Sequence, residues 1–192
     1  MTASGGNRKK QNWEEKEMKK LVAVLMVLCM VLTAAAAFAE ESEPIVVNWS
    51  DYEADAADID GQFAVVGPTG LVMFVPAEFK DSEISEEAQQ GGTFMVLKTE
   101  NQERAVVSGQ VVEMNIDTFM AGLEGQGVTK YETILNGLHC YQFNITAVGI
   151  TTSCIVFSTE QDGIVVFSFT LSDQEPYASL YKVMVSSIQP AE

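Results

Sequence analysis

The chain has little with which to do chemistry: one histidine, three cysteines and only 11 lysines and arginines in 192 residues. Any Ser-His-Asp or Cys-His pairing would have to use His139. Its neighbour Cys140 points to the opposite face if the two share a strand, so that pair cannot easily cooperate. His139 therefore reads as a strand histidine beside a turn. Basic residues are scarcest after residue 39. Six of the 11 Lys and Arg come before that point, as do three of the 27 Asp and Glu. Residues 40–192 hold five basic and 24 acidic residues, a formal net charge of −19. Such a surface repels phosphate backbones and anionic lipid headgroups, which argues against nucleic acid as a partner. The acidity itself reads as a solubilising surface.

Site motifs are also missing. Gly91-Gly92 and Gly122-x-x-Gly125-x-Gly127 are not set between a strand and a helix, and no Lys-Ser/Thr follows, so neither is a phosphate loop. The densest carboxylate run is Asp51, Glu53, Asp55, Asp58 and Asp60. Counted as an EF-hand from Asp51, it places Ala56 and Gln62 where glycine and glutamate are required. It reads instead as a solvated helix face, with weak calcium binding as the alternative. No motif implies a cofactor, a metal or a catalytic residue.

What is present is an address. Met18-Lys19-Lys20 leads into an apolar run from Leu21 to Leu32, then alanines, then Ala37-Phe38-Ala39. Charged region, apolar region and small-x-small cleavage site occur in the order of a secretory signal. The expectation is a signal peptide over 18–39, cleaved after Ala39, with no membrane insertion afterwards. An uncleaved anchor is the competing reading, since Leu21 to Ala39 is nearly long enough to cross a bilayer. Residues 1–17 are polar and charged, and read as a leader ahead of a true start at Met18. Cys29 follows Met26-Val27-Leu28 rather than small residues, which argues against lipidation. With a bacterial-type export signal, the sequons Asn48-Trp49-Ser50 and Asn144-Ile145-Thr146 are coincidental.

Residues 40–44 form an acidic tether, and 45–192 read as a single α+β domain. Ile45 to Trp49 is a first strand, followed by a helix from Asp51 capped by Ser50 and ended by Gly61. Gln62 to Val66 and Leu71 to Val75 are strands joined by Gly67-Pro68-Thr69-Gly70. Pro76 to Phe79 ends that hairpin, and Asp81 to Gly92 is a surface loop with a helical turn over Ser85 to Gln90. Phe94 to Lys98 and Ala105 to Glu113 are strands around Glu100-Asn101-Gln102-Glu103. A helix runs from Asn115 or Asp117 to Gln126, with Phe119, Met120 and Leu123 on one stripe. Four further strands are Thr129–Leu135, Leu138–Ala147, Ile150–Ser158 and Ile164–Leu171. Their turns are marked by Asn136-Gly137, Gly149 and Asp162-Gly163. Pro176 opens a final helix from Tyr177 to Ser187. The sum is a largely antiparallel sheet with two or three helices packed on it.

The pair Cys140 and Cys154 poses a register problem. Tyr141, Phe143 and Ile145 alternate with Cys140, Gln142 and Asn144, while Ile155 and Phe157 alternate with Cys154 and Val156. Placing both aromatic sets on one face requires paired positions that sum to an even number. Both cysteines then share the other face, directly opposed or one diagonal apart. The first geometry permits a disulfide and the second does not. A bridge and two reduced, half-buried thiols both stand open. Tyr52, Phe63, Phe74, Phe79, Tyr131, Phe169, Tyr177 and Tyr181 can line a pocket or fill a core, and core is the commoner fate.

The order of elements from the Phe119–Gly127 helix through Asn136-Gly137-Leu138 and Gly163-Ile164-Val165-Val166-Phe167-Ser168-Phe169 to the closing Ser186-Ser187-Ile188 resembles PsbP-like and DcrB-like exported domains. Leu71-Val72-Met73-Phe74-Val75-Pro76 fits the same pattern, and the likeness spans Gly61 to Gln189, with Ile45 to Asp60 outside it. It implies an α/β/α sandwich, in a family of photosystem accessory proteins, bacterial lipoproteins and small-partner binders, most without enzymatic activity. No functional residue of the family has a counterpart to carry over. The reading for function is a non-enzymatic binding module of the cell envelope or extracellular space, whose partner is an unidentified protein or small ligand. A carboxylate-based hydrolase using Asp51, Glu53 and Asp55, or a calcium-binding structural protein, is the alternative.

Overall fold

A computed structural model of the chain describes residues 43–100, 104–159 and 163–191. The leader, signal segment and cleavage site lie outside the described residues, as do most of the tether, Asn101-Gln102-Glu103 and Asp162.

Apolar runs become strands and turn formers separate them. The strands are β1 (Ile45–Val47), β2 (Gly61–Val65), β3 (Leu71–Pro76), β4 (Phe79–Asp81), β5 (Thr93–Thr99), β6 (Val106–Val112), β7 (Lys130–Leu135), β8 (Leu138–Ala147), β9 (Ile150–Ser158), β10 (Ile164–Thr170) and β11 (Gln189–Pro190). The helices are α1 (Glu53–Ala56), α2 (Glu86–Gln90), α3 (Ile116–Glu124) and α4 (Tyr177–Ser186). Four helices are thus described rather than two or three, because short polar stretches at α1 and α2 close a single turn each. In α2 the Ser85 hydroxyl accepts from the Ala88 amide, and in α3 the Asn115 side chain accepts from the Asp117 amide, each satisfying one otherwise orphaned donor. The expected Ser50 cap is not made. Ser50 lies inside a 3-10 turn over Trp49–Asp51, and α1 starts only at Glu53.

Eight strands form the main sheet in the order β1-β7-β8-β9-β10-β6-β5-β4, and β11-β3-β2 form a small second one. Every pairing is antiparallel except β1 with β7. Strands β4 and β11 leave no mark in the sequence, since two or three residues carry no period to read. Pro76 does not end its hairpin before the ladder does; it pairs with Gly61 inside β3.

The main sheet is buried on both sides, which makes the body an α/β/α sandwich. On one side Phe119, Met120 and Leu123 of α3 cover Phe143, Cys154, Val156, Ile164 and Val166. On the other, Leu180, Tyr181 and Met184 of α4, with Leu71 and Met73 of β3, cover Ile155, Phe157, Val165, Phe167 and Phe169. Each fully buried side chain of this size contributes roughly 1.5–3 kcal/mol of transfer free energy. Strand β10, with layers on both faces, is buried along its whole length.

This double burial overturns the expected β8–β9 register. Cys140 pairs with Phe157 and Phe143 with Cys154, so paired positions sum to an odd number. The expectation assumed one aromatic face. In β9 both alternating sets are apolar and both are covered, so alternation cannot say which set belongs with Tyr141 and Phe143. The turn decides instead. Val148 and Gly149 form a two-residue loop with φ of 53° and 73°, between the paired Ala147 and Ile150. Positive φ at both positions is the hairpin geometry whose twist suits the flanking strands.

Val148 is a β-branched residue in left-handed backbone, fully exposed at the hairpin tip. That conformation costs an L residue roughly 1–2 kcal/mol, and no packing offsets it. Val148→Asn is expected to stabilise the protein by about 1 kcal/mol, asparagine being far more tolerant of this region; urea unfolding measures it.

Candidate functional site

The site is built where the first strand leaves the main sheet. Asn136, in the β7–β8 turn, donates its backbone N–H to the Val47 carbonyl at 2.9 Å. Its side-chain oxygen accepts from the Trp49 amide at 2.5 Å. Its side-chain nitrogen donates to the carbonyls of Ser186 at 2.7 Å and Ile188 at 2.8 Å, at the end of α4. One amide thus fixes the exit of β1 and the end of the last helix.

Held in this way, Trp49 lies over the small sheet. Its ring meets Phe63 edge-on at 5.6 Å and stacks on Phe74 at 6.4 Å, and the two phenylalanines meet edge-on at 5.8 Å. Phe74 also contacts the Ala56 and Val183 cluster beneath. Gly61 makes room for it, since a Cβ there would sit 2.5 Å from the Phe74 ring. Such edge and offset contacts add about 0.5–1.5 kcal/mol per pair beyond area burial.

The two sides of this small sheet differ. Strand β3 is closed off by the C-terminal segment: β11 pairs with Leu71 and Val72, and the Phe74 amide donates to the Ser187 hydroxyl at 2.8 Å. Strand β2 is an edge. The bonds from the Val66 amide to Leu71 and from the Ala77 amide to Asp60 show which positions face β3. By alternation, Gly61, Phe63 and Val65 turn their N–H and C=O groups outward, and among the described residues nothing pairs with them. Phe63 is 44% exposed and Val65 69%. Beside them stands the acidic run. Asp51, Glu53, Asp55, Asp58 and Asp60 are all exposed, and Lys182 is the one basic side chain ion-paired to them among the described residues, 3.8 Å from Asp55 and 5.0 Å above the Tyr52 ring.

The other residues singled out by sequence are scattered. Phe79 and Phe169 fill the core against Tyr181 of α4, with Tyr177 of the same helix beside them, and Tyr131 is half-exposed on β7. The Tyr181 hydroxyl is buried without a hydrogen-bond partner, and burial raises its pKa. His139 is exposed beside the turn and contacts Glu132 and the Tyr141 ring, over which Lys130 lies at 5.2 Å. Burial and then the Glu132 charge raise the Tyr141 pKa. Cys140 is buried on the opposite face from its neighbour His139, as strand geometry requires. Among the described residues no three His, Cys, Asp or Glu side chains gather to hold a metal ion, and no helix is long and apolar enough to cross a membrane.

Sequence reasoning singles out Phe63 but misses Trp49 and Val65 as its companions, and it sees Asn136 only as a turn former. An exposed valine on an edge strand could have been flagged by its place in a hairpin; the Asn136 contacts, 50 and 87 residues away in sequence, leave no local signal.

Cys140 and Cys154 are free. The odd register puts them in different core layers, so no disulfide joins them. Burial pushes the Cys140 thiol up to about 12. Burial also pushes Cys154 up to about 11, partly offset by the Ser168 hydroxyl at 3.6 Å. Since the folded state holds these protons more tightly than the unfolded chain, their stabilisation is complete below about pH 9 and is lost as pH rises through the folded values. Unfolding free energy is expected to fall from pH 9 upward, with less of a fall in Cys140→Ala, and both thiols should react with Ellman's reagent far more slowly in the folded protein than in the unfolded one. Separately, Asn136→Gly keeps the positive φ but removes three side-chain hydrogen bonds, at an expected cost of about 2–3 kcal/mol in urea unfolding.

No protein-family model and no curated protein matches the chain. Among solved structures, it is similar to cyanobacterial PsbP (CyanoP) from Synechocystis sp. PCC 6803, with 14% identity, a TM-score of 0.50, and coverage of 69% of this chain and 93% of that one. A crystal structure from Bacteroides thetaiotaomicron VPI-5482 is similar at 12% identity and a TM-score of 0.48, over 70% of this chain and 50% of that one. At such identity the likeness shows the fold alone, and the fold is PsbP-like.

Proposed function

We propose that this protein is an exported, non-enzymatic binding module of the cell envelope or extracellular space, and that its binding surface is the Trp49–Phe63–Val65 strip. One observation carries the reading: two large apolar side chains, Phe63 and Val65, stay exposed on a strand whose edge is unpaired among the described residues. A folded chain gains by burying such groups, and edge strands are commonly blunted by charge or proline. An exposed apolar edge therefore marks contact with something else. The PsbP-like fold is consistent with a non-catalytic domain. The carboxylates on which a hydrolase would rely, Asp51, Glu53 and Asp55, are all exposed.

Expressed with its leader intact in a bacterial host, the chain is expected in the extracytoplasmic fraction with Glu40 as its first residue, as N-terminal sequencing reads. Full-length material confined to the cytoplasm overturns export. A photo-crosslinker at Val65 is expected to trap a reproducible adduct that one at Val148, fully exposed at the β8–β9 hairpin tip, does not. Identical patterns from both positions overturn the assignment of the surface.

A further inference from the structure

We propose that the open edge of β2, from Gly61 to Val65, takes an extended, basic and apolar segment of a partner protein as an added strand. The inference rests on the binding-module reading and specifies the chemistry of its partner. Two independent features of the edge converge on it.

The first is the backbone. The outward N–H and C=O groups of Gly61, Phe63 and Val65 recur every second residue, roughly 7 Å apart, the spacing at which an incoming strand supplies matching donors and acceptors. No proline blocks these positions, and no charged side chain stands within β2, whose sequence is Gly-Gln-Phe-Ala-Val. The other end of the small sheet shows what closure looks like here: β11 and the Ser187 hydroxyl satisfy the edge of β3. Side chains of the added strand would extend the Phe63, Val65 and Val72 strip, which makes alternate positions apolar.

The second is charge. Asp58 and Asp60 immediately precede β2, and Asp51, Glu53 and Asp55 stand on the segment that carries Trp49 over it. One lysine, Lys182, is paired against these five carboxylates among the described residues. The partner strand therefore needs Lys or Arg beside the Gly61 end and apolar residues beside Val65. A second copy of this chain is the wrong occupant. Pairing copies edge to edge joins two bodies that each carry a strong excess of acid, and like charge across an interface suppresses association.

The probe is a synthetic peptide of about nine alternating Lys and Val residues, long enough to run the length of β2. Its controls are a Glu/Val peptide and a Lys/Val peptide N-methylated at alternate amides, which cannot donate to a ladder. With the protein as isolated, fluorescence anisotropy should show saturable binding of the Lys/Val peptide that weakens with salt. Loss of the ladder should weaken the N-methylated peptide by about tenfold or more, and the Glu/Val peptide should not bind. Amide exchange should slow at Phe63 and Val65. Val65→Pro, which removes an outward amide that β3 does not use, should weaken binding similarly while leaving the melting temperature nearly unchanged. Should that variant fail to fold, the N-methylated peptide makes the same cut from the other side. Equal binding of the N-methylated peptide, protection at another surface, or no binding of any peptide up to about 1 mM overturns the proposal. Self-association that Val65→Pro abolishes, with no peptide bound, overturns it in favour of a second copy. None of these outcomes touches the export and crosslinking results, so the broader reading stands or falls separately.

Discussion

The Asn136 carboxamide is the joint from which the rest of the architecture hangs. Three parts of the chain distant in sequence meet on it: the exit of β1, the β7–β8 turn and the end of α4. Each would otherwise leave backbone groups unpaired at the end of an element, where the regular ladder stops. The side chain accepts one hydrogen bond and donates two, which fixes its orientation. Trp49 sits over Phe63 and Phe74 because its own amide is held there, and β11 reaches β3 because the end of α4 is held there. The surface assigned to binding is thus a consequence of how the domain closes, and its parts are positioned by the fold before any partner arrives.

The second constraint is that the middle of the main sheet is covered on both sides. With α3 on one face and α4 with the small sheet on the other, β9 and β10 carry buried apolar side chains at odd and even positions alike. This explains a lopsided legibility. Strand existence is plain in the sequence, since Ile164 to Leu171 and Ile150 to Ser158 have apolar content in excess of any loop. Register is not, because a strand apolar at every position has no inner and outer set to compare. The alternation of Tyr141, Phe143 and Ile145 is real. Its counterpart on β9 is ambiguous, and the Val148-Gly149 turn settles what the side chains cannot.

Elements of the candidate surface are legible in proportion to their locality. The acidic run and Phe63 are visible as composition and as alternation in a hairpin. The short helix is displaced from its expected start, because the 3-10 turn around Trp49 takes residues expected to cap it. That β2 is an edge is a fact about the whole sheet order, settled by where β11 and Ser187 arrive from the far end of the chain. No window of the sequence contains it. Burial on both sides, edge position and the grip of Asn136 are all long-range properties, whereas strand, helix and turn are short-range ones.

The two thiols draw out what a sheet covered on both sides means in practice. Cys140 is sealed in the layer that holds α4, and Cys154 in the layer that holds α3. Neither can be alkylated while its own cover is down. The protein therefore carries a native stopwatch in each half of its interior: under conditions short of global unfolding, the rates at which the two sulfurs are trapped report separately how often each lid of the sandwich lifts.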